Sequence, residues 1–291
     1  MRVAFKQVDV FTKTPFKGNP VAVILEGDGL TTIQMQQIAN WTNLSETTFV
    51  LTPSDAKADY RVRIFTPNAE LPFAGHPTLG TAHALLEAGI IHDREGVVIQ
   101  ECEAGLIKLT VTVDSEGEQS IAFDLPEPKL SQLTVSQHDE LEAILGCPLK
   151  SDSKPMLVDV GARWLVTQLS SAKDVLAAKP DLQRMKIQDS AHGYTGVVIF
   201  GEYEADSIAS LEVRAFAPAH GVNEDPVCGS GNGAVAAYIR ATGQVELLGK
   251  DLIASQGAAI GRAGFLQLSI SDSVIQVGGN SLTCIQGTLT I

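Results

Sequence analysis

Residues 62–67 read VRIFTP, and residues 213–218 read VRAFAP, an offset of 151 (213 − 62). The match does not stand alone. AGHPTLGTAHALL from Ala74 faces CGSGNGAVAAYI from Cys228 at an offset of 154 (228 − 74), and AGLIKLTVTV from Ala104 faces AGFLQLSISD from Ala263 at 159 (263 − 104). Three matches in one order with slowly growing offsets mark a duplicated structural unit. The growth falls in PNAELPF and PAHGVNEDPV, which read as loops, where insertions are tolerated.

Each copy follows the same coarse order. In the first, VAFKQVDVF and PVAVIL read as strands, TTIQMQQIANW as an amphipathic helix, and ETTFVL and DYRVRIF as strands again. A helix from about Pro77 to Ala88 leads to GVVIQE, GLIKLTVTV and QSIAFDL, all rich in β-branched residues. The second copy opens with MLVDV and WLVTQL, has a helical DLQRMKI, then GVVIFG, LEVRAF, a helix from about Gly231 to Ala241 and three terminal strands. TLGTAHALLEAG and GAVAAYIRATG are small and apolar on nearly every face, so each helix is expected inside its own sheet. The predicted fold class is α+β: two pseudo-symmetric lobes, each a curved, mostly antiparallel, barrel-like sheet around a central helix. The lobes are expected over residues 1–128 and 129–291, with the last residues crossing back to the first lobe. SQHDELEAIL reads as a helix in the crossover.

Composition narrows the function classes. A net charge of -13 without a basic cluster argues against nucleic acid as a partner, because that affinity rests on Lys and Arg. No apolar run approaches the ~20 residues that cross a bilayer, so the 44% hydrophobic content is assigned to core and no membrane partner is expected. Cys102, Cys147, Cys228 and Cys284 form no metal-ligand spacing, and MRVAFKQVDV reads as a strand rather than a secretion signal, so a reducing cytoplasm is the expected location.

Both long helices begin at a glycine turn, AGHP and CGSG. Helix-start N–H groups lack partners inside the helix and carry a partial positive charge, so each turn can take an anion. No Walker lysine follows either, which favours a small carboxylate-bearing metabolite over a polyphosphate, bound where the two helix starts face across a cleft. His76, Asp225 and Glu46 cluster near these turns. Glu46 stands where an apolar strand begins; burial there would raise its pKa and suit it to proton transfer. Each has a plainer reading: Glu46 as an exposed strand start, His76 as a capping or core histidine, Asp225 as a helix cap. Glu224 reads as solvent-facing.

VDVFTKTPFKGNPVAVI, NLSETTFVL, RIFTPNAELPFAGHPTLGTAHAL and EDPVCGSGNG together resemble the PhzF-like isomerase family of phenazine biosynthesis, which has the diaminopimelate epimerase-like fold. The likeness covers essentially the whole chain. It implies an active site between two lobes, no cofactor and a homodimer. Glu46 matches the family's catalytic glutamate in the SET motif, His76 its GHP histidine, Asp225 its DP aspartate and Ser230 its GS serine. Glu46, His76 and Asp225 are thus the implied catalytic residues, with Ser45, Gly75, Cys228, Gly229 and Ser230 around the substrate. In that family the glutamate moves a proton between carbons of a cyclic dihydro-hydroxyanthranilate. Racemases of the same fold use one thiol at each helix start; the offset of 154 sets Cys228 opposite Ala74, so a two-thiol mechanism lacks one thiol here. An amino-acid racemase or epimerase working through Cys228, a non-catalytic metabolite-binding protein and a metal site from His76, Asp225 and Cys228 stand as alternatives.

Overall fold

The computed structural model describes residues 1–151 and 153–291. The chain divides into two compact units, one of Met1–Asp124 with Gly278–Ile291 and one of Leu125–Val277.

The first unit contains β1 (Arg2–Val10), β2 (Asn19–Ile24), α1 (Thr32–Thr42), β3 (Thr47–Leu51), β4 (Tyr60–Phe65), β5 (Glu70–Leu71), α2 (Gly75–Glu87), β6 (Val97–Cys102), β7 (Gly105–Val113) and β8 (Gln119–Asp124). Among the described residues, β1, β2, β3, β4, β6, β7 and β8 pair in that order, and a strand from the chain end, residues 278–290, joins β8 back to β1. The result is a closed barrel of eight strands, which leaves no free sheet edge. Most neighbours are antiparallel; β2–β3 and β4–β6 are parallel. Inside runs α2, buried from Gly75 to Leu85 except at His83. Its close fit explains Gly80: a Cβ there would stand 2.4 Å from Val21 Cγ1 and 2.9 Å from Val10 Cγ2. Outside, Met35 and Ala39 of α1 pack on Val3, Ile24, Phe49 and Phe65.

The second unit repeats the plan with β9 (Lys129–Gln132), α3 (Val135–Leu145), β10 (Met156–Asp159), β11 (Arg163–Gln168), α4 (Ala172–Ala177), α5 (Leu182–His192), β12 (Gly196–Glu202), β13 (Leu211–Ala217), β14 (Val222–Asp225), α6 (Gly229–Ala241), α7 (Val245–Leu248), β15 (Asp251–Gln256), β16 (Gly264–Ile270) and the start of β17 (Ile275–Thr290). Its parallel pairs, β11–β12 and β13–β15, fall where the first unit has β2–β3 and β4–β6. The duplication read from three short matches therefore extends to strand direction. Here α6 is the wrapped helix, buried from Gly229 to Ile239 except at Ser230. Leu141, Ile144 and Leu145 of α3 pack with Val175, Met185, Leu165 and Phe216, so the crossover helix belongs to the core of this unit.

Two expectations need correction. The central helices start earlier than Pro77 and Gly231, at Gly75 and Gly229, because Ala74 and Cys228 take the extended cap conformation and release the following glycines into the first turn. PNAELPF and PAHGVNEDPV are also not bare loops. They contain β5 and β14, short strands that turn back on β4 and β13. Among the described residues no helix is long and apolar enough to cross a membrane.

Candidate active site

In the first unit, α1 ends at Asn43, whose left-handed φ of 53° turns the chain sharply through Leu44, Ser45 and Glu46 into β3. Thr42 and Thr47 hydroxyls meet at 2.9 Å and brace that turn from both sides. Glu46 thus lies just ahead of the strand rather than in it. Its carboxylate is 15% exposed, and its Oε2 stands 3.3 Å from Nε2 of His76. His76, the second residue of α2, is buried, and its Nδ1 lies 3.4 Å from Nδ2 of Asn19, the first residue of β2. Burial pushes the imidazole pKa down to about 3, so the ring is neutral at physiological pH. The positive end of α2 acts in the same direction. A neutral imidazole has one donor and one acceptor nitrogen. Nε2 is the ring atom nearest Glu46, Nδ1 is the one beside Asn19, and the ring also hydrogen-bonds the Pro20 backbone, which opposes part of the burial effect. Ala74 caps α2 with no side-chain hydrogen bond, so the helix start lacks a capping side chain of its own.

In the second unit, Asp225 ends β14 and its Oδ1 accepts from the amide of Val227 at 3.0 Å. Gln256 brackets the same turn. Its Nε2 donates to the carbonyl of Asp225 at 2.8 Å, while its Oε1 accepts from the Cys228 amide at 3.1 Å and from Asn232 Nδ2 at 2.7 Å. Cys228 is the α6 cap, with Sγ accepting from the Gly231 amide at 3.3 Å. Burial raises the Asp225 carboxyl to about 6, opposed in part by the Val227 amide and the Cys228 thiol that donate to it. Burial and the adjacent Asp225 charge hold Cys228 well above the ordinary thiol range. Cys228 is therefore a thiol, not a thiolate, at neutral pH. Ser230, second in α6 as His76 is second in α2, accepts from Trp164 Nε1 at 3.1 Å and lies 3.6 Å from Cys228 Sγ.

Glu46, His76 and Asn19 thus form one group in the first unit, and Asp225, Cys228, Ser230 and Gln256 another in the second. Ser45 lies in the turn ahead of Glu46. Among the described residues no three His, Cys, Asp or Glu side chains gather as a metal-ligand set. Sequence reading missed Asn19, Trp164 and Gln256, and it misplaced Glu224. That residue does not face solvent: both its oxygens take Arg214, Nε at 2.9 Å and Nη2 at 2.8 Å, in a buried fork-to-fork pair. The first unit has the counterpart, Arg63 with Glu70, at 2.7 Å on both arms. Each arginine also covers a phenylalanine two residues on, Phe216 at 5.0 Å and Phe65 at 5.1 Å. The repeated V-R-x-F therefore carries a repeated device: the pair ties the short strand ahead of the helix start to its neighbour.

The family model described as phenazine biosynthesis-like protein matches residues 8–287. The chain belongs to that family. Its sequence is 44% identical to antisense-enhancing sequence 1 of Schizosaccharomyces pombe, over 98% of this chain and 97% of the relative. It is 33% identical to the trans-2,3-dihydro-3-hydroxyanthranilate isomerase of Pseudomonas chlororaphis, over 98% of each. The crystal structure of a PhzF-family phenazine biosynthesis protein from Bacillus anthracis superposes with a TM-score of 0.85 at 25% identity, covering all of both chains. The phenazine biosynthesis-like family thus accounts for the duplicated α+β fold seen here. With relatives named as isomerases over nearly the whole chain, this member is an isomerase.

Proposed function

We propose that this isomerase shifts a proton on a small carboxylate-bearing substrate, using its own side chains without a cofactor. The observation that carries this reading is the Glu46–His76 contact: a carboxylate with little exposure, 3.3 Å from an imidazole kept neutral by burial. A neutral imidazole adds no positive charge of its own beside Glu46, a carboxylate suited to accept a carbon-bound proton and return it. The amides of Gly75, Gly229 and Ser230 offer donors to the substrate carboxylate, as helix starts do for anions. Asp225, with its carboxyl raised to about 6, is a second group able to change protonation near neutral pH. The dihydro-hydroxyanthranilate named for the Pseudomonas relative is the first substrate to try.

The racemase reading is less well supported. It needs a thiolate, whereas burial and Asp225 keep the Cys228 proton on sulfur, and the offset that pairs the helix starts sets Ala74 opposite it. The homodimer implied by the family resemblance remains part of the proposal and is checked by sedimentation. The isomerase reading is tested with Glu46→Gln. Turnover should fall by about 10²–10⁴-fold while substrate affinity stays within about tenfold. Intact turnover with lost binding would sink the assignment.

A further inference from the structure

Trp164 lies on β11, far in sequence from either glycine turn, yet its indole reaches the second residue of α6. The indole nitrogen can only donate a hydrogen bond. Ser230 Oγ must therefore be the acceptor in the 3.1 Å contact, and its own hydrogen has to point elsewhere. The other side chain in reach is Cys228, 3.6 Å away at Sγ. That thiol donates in turn to Asp225, and its sulfur, which already accepts from the Gly231 amide, has a second lone pair with which to accept. The hydrogen bonds then run one way: Trp164 to Ser230, Ser230 to Cys228, Cys228 to Asp225. A hydroxyl hydrogen resting on a thiol sulfur makes a weak bond, and a carboxylate oxygen is a much better acceptor.

We propose that Trp164 is a positioning residue that fixes the Ser230 hydroxyl as a hydrogen-bond donor for the substrate carboxylate, with Cys228 Sγ as the resting acceptor. The inference builds on the assignment of Ser230 to the carboxylate site. It gives Cys228 a role without chemistry. It also finds a parallel in the first unit, where Asn19, from the strand at the corresponding place, lies 3.4 Å from His76 Nδ1. Trp164 makes the stronger case, since an indole N–H has no alternative orientation or tautomer in which it accepts.

The chain has two tryptophans, Trp41 and Trp164. In Trp41→Phe the remaining indole N–H gives a single NMR signal after labelling with 15N-indole tryptophan. That signal should move upfield in Trp41→Phe/Ser230→Ala, where its acceptor is gone, and should shift when anthranilate is added to the Ser230 protein. An unmoved signal on loss of Ser230 overturns the proposal, with or without a ligand. In binding, anthranilate affinity should fall about tenfold or more in Ser230→Ala and in Trp164→Phe, as for a hydrogen bond to a charged group, and no further in the double variant. Turnover at saturation should change little in Trp164→Phe, so the loss appears in KM and not in kcat. Additive losses, or a Trp164→Phe variant with wild-type affinity, would also overturn it. Glu46→Gln separates the two levels: if it stays active the isomerase assignment fails, whereas if it is dead and the indole signal ignores Ser230, only the positioning role fails.

Discussion

Glu224→Gln keeps the shape of the side chain and removes its charge from a buried pair. Arg214 and Glu224 side chains are 8% and 11% exposed, against 23% and 29% for Arg63 and Glu70. The guanidinium of Arg214 also donates through Nη1 to the carbonyls of Val175 and Ala178, at 3.0 and 2.7 Å, which pins the end of α4. With the carboxylate gone, a full positive charge remains enclosed, faced by carbonyl dipoles, the ring of Phe216 and, further off, the Glu212 carboxyl, whose own pKa burial raises. Breaking a buried pair from one side costs about 3–5 kcal/mol. The same change at Glu70, where water can screen the arginine left behind, should cost about 1 kcal/mol. The expected gap between two chemically identical substitutions is therefore about 2–4 kcal/mol. Urea unfolding followed by far-ultraviolet circular dichroism measures it, with the fluorescence of buried Trp164 as a second reporter on the unit that holds Glu224. Equal losses, or a larger loss in Glu70→Gln, would refute the argument that burial sets the difference.

Three further outcomes follow from the same geometry. Asp189 is fully buried, and burial raises its carboxyl to about 6, opposed in part by the neighbouring Gln188 side chain. A carboxyl raised in the folded state is least costly below its unfolded pKa, and its cost grows as pH rises from there through about 6, so wild type should lose about 2 kcal/mol relative to Asp189→Asn between pH 4 and pH 8; a pH-independent difference contradicts this. Gly80→Ala forces a methyl against Val21 and Val10 inside the barrel, and should cost about 1–3 kcal/mol as overpacking, read as a lowered Tm. Cys228, buried and protonated, should react with iodoacetamide at pH 7.5 far more slowly than half-buried Cys284, as peptide mass mapping over time will show; faster labelling of Cys228 would point to a thiolate and revive the racemase reading.

The duplication was legible because it leaves short similar strings in the same order with slowly growing offsets, and the wrapped helices because TLGTAHALL and GAVAAYI offer no polar face. His76, Asp225 and Ser230 stand out in the sequence because each adjoins a glycine turn, and Glu46 because it stands where an apolar strand begins. What escaped shares one physical cause: the partners meet through strand pairing, not through neighbourhood in sequence. Trp164 and Asn19 reach their helix starts from β11 and β2, and no local pattern announces an indole as a donor to a serine dozens of residues away. Glu224 was misread because its segment looks like a polar loop, rich in Asn, Glu and Asp. The turn back onto β13, with a register shift between Ala215 and Ala217, brings that carboxylate onto Arg214. A closer reading of the repeat would have found the pair, since V-R-x-F recurs with a glutamate following in both copies.

The claim that most needs testing is that Glu46 carries a proton to and from substrate carbon. The direct measurement is NMR in D2O with dihydro-hydroxyanthranilate and a panel of small carboxylates, comparing wild type with Glu46→Gln. The account predicts isomerisation or carbon-bound deuterium in at least one compound with wild type and none with the variant. Binding without movement of any carbon-bound proton, or equal exchange by both proteins, would contradict it.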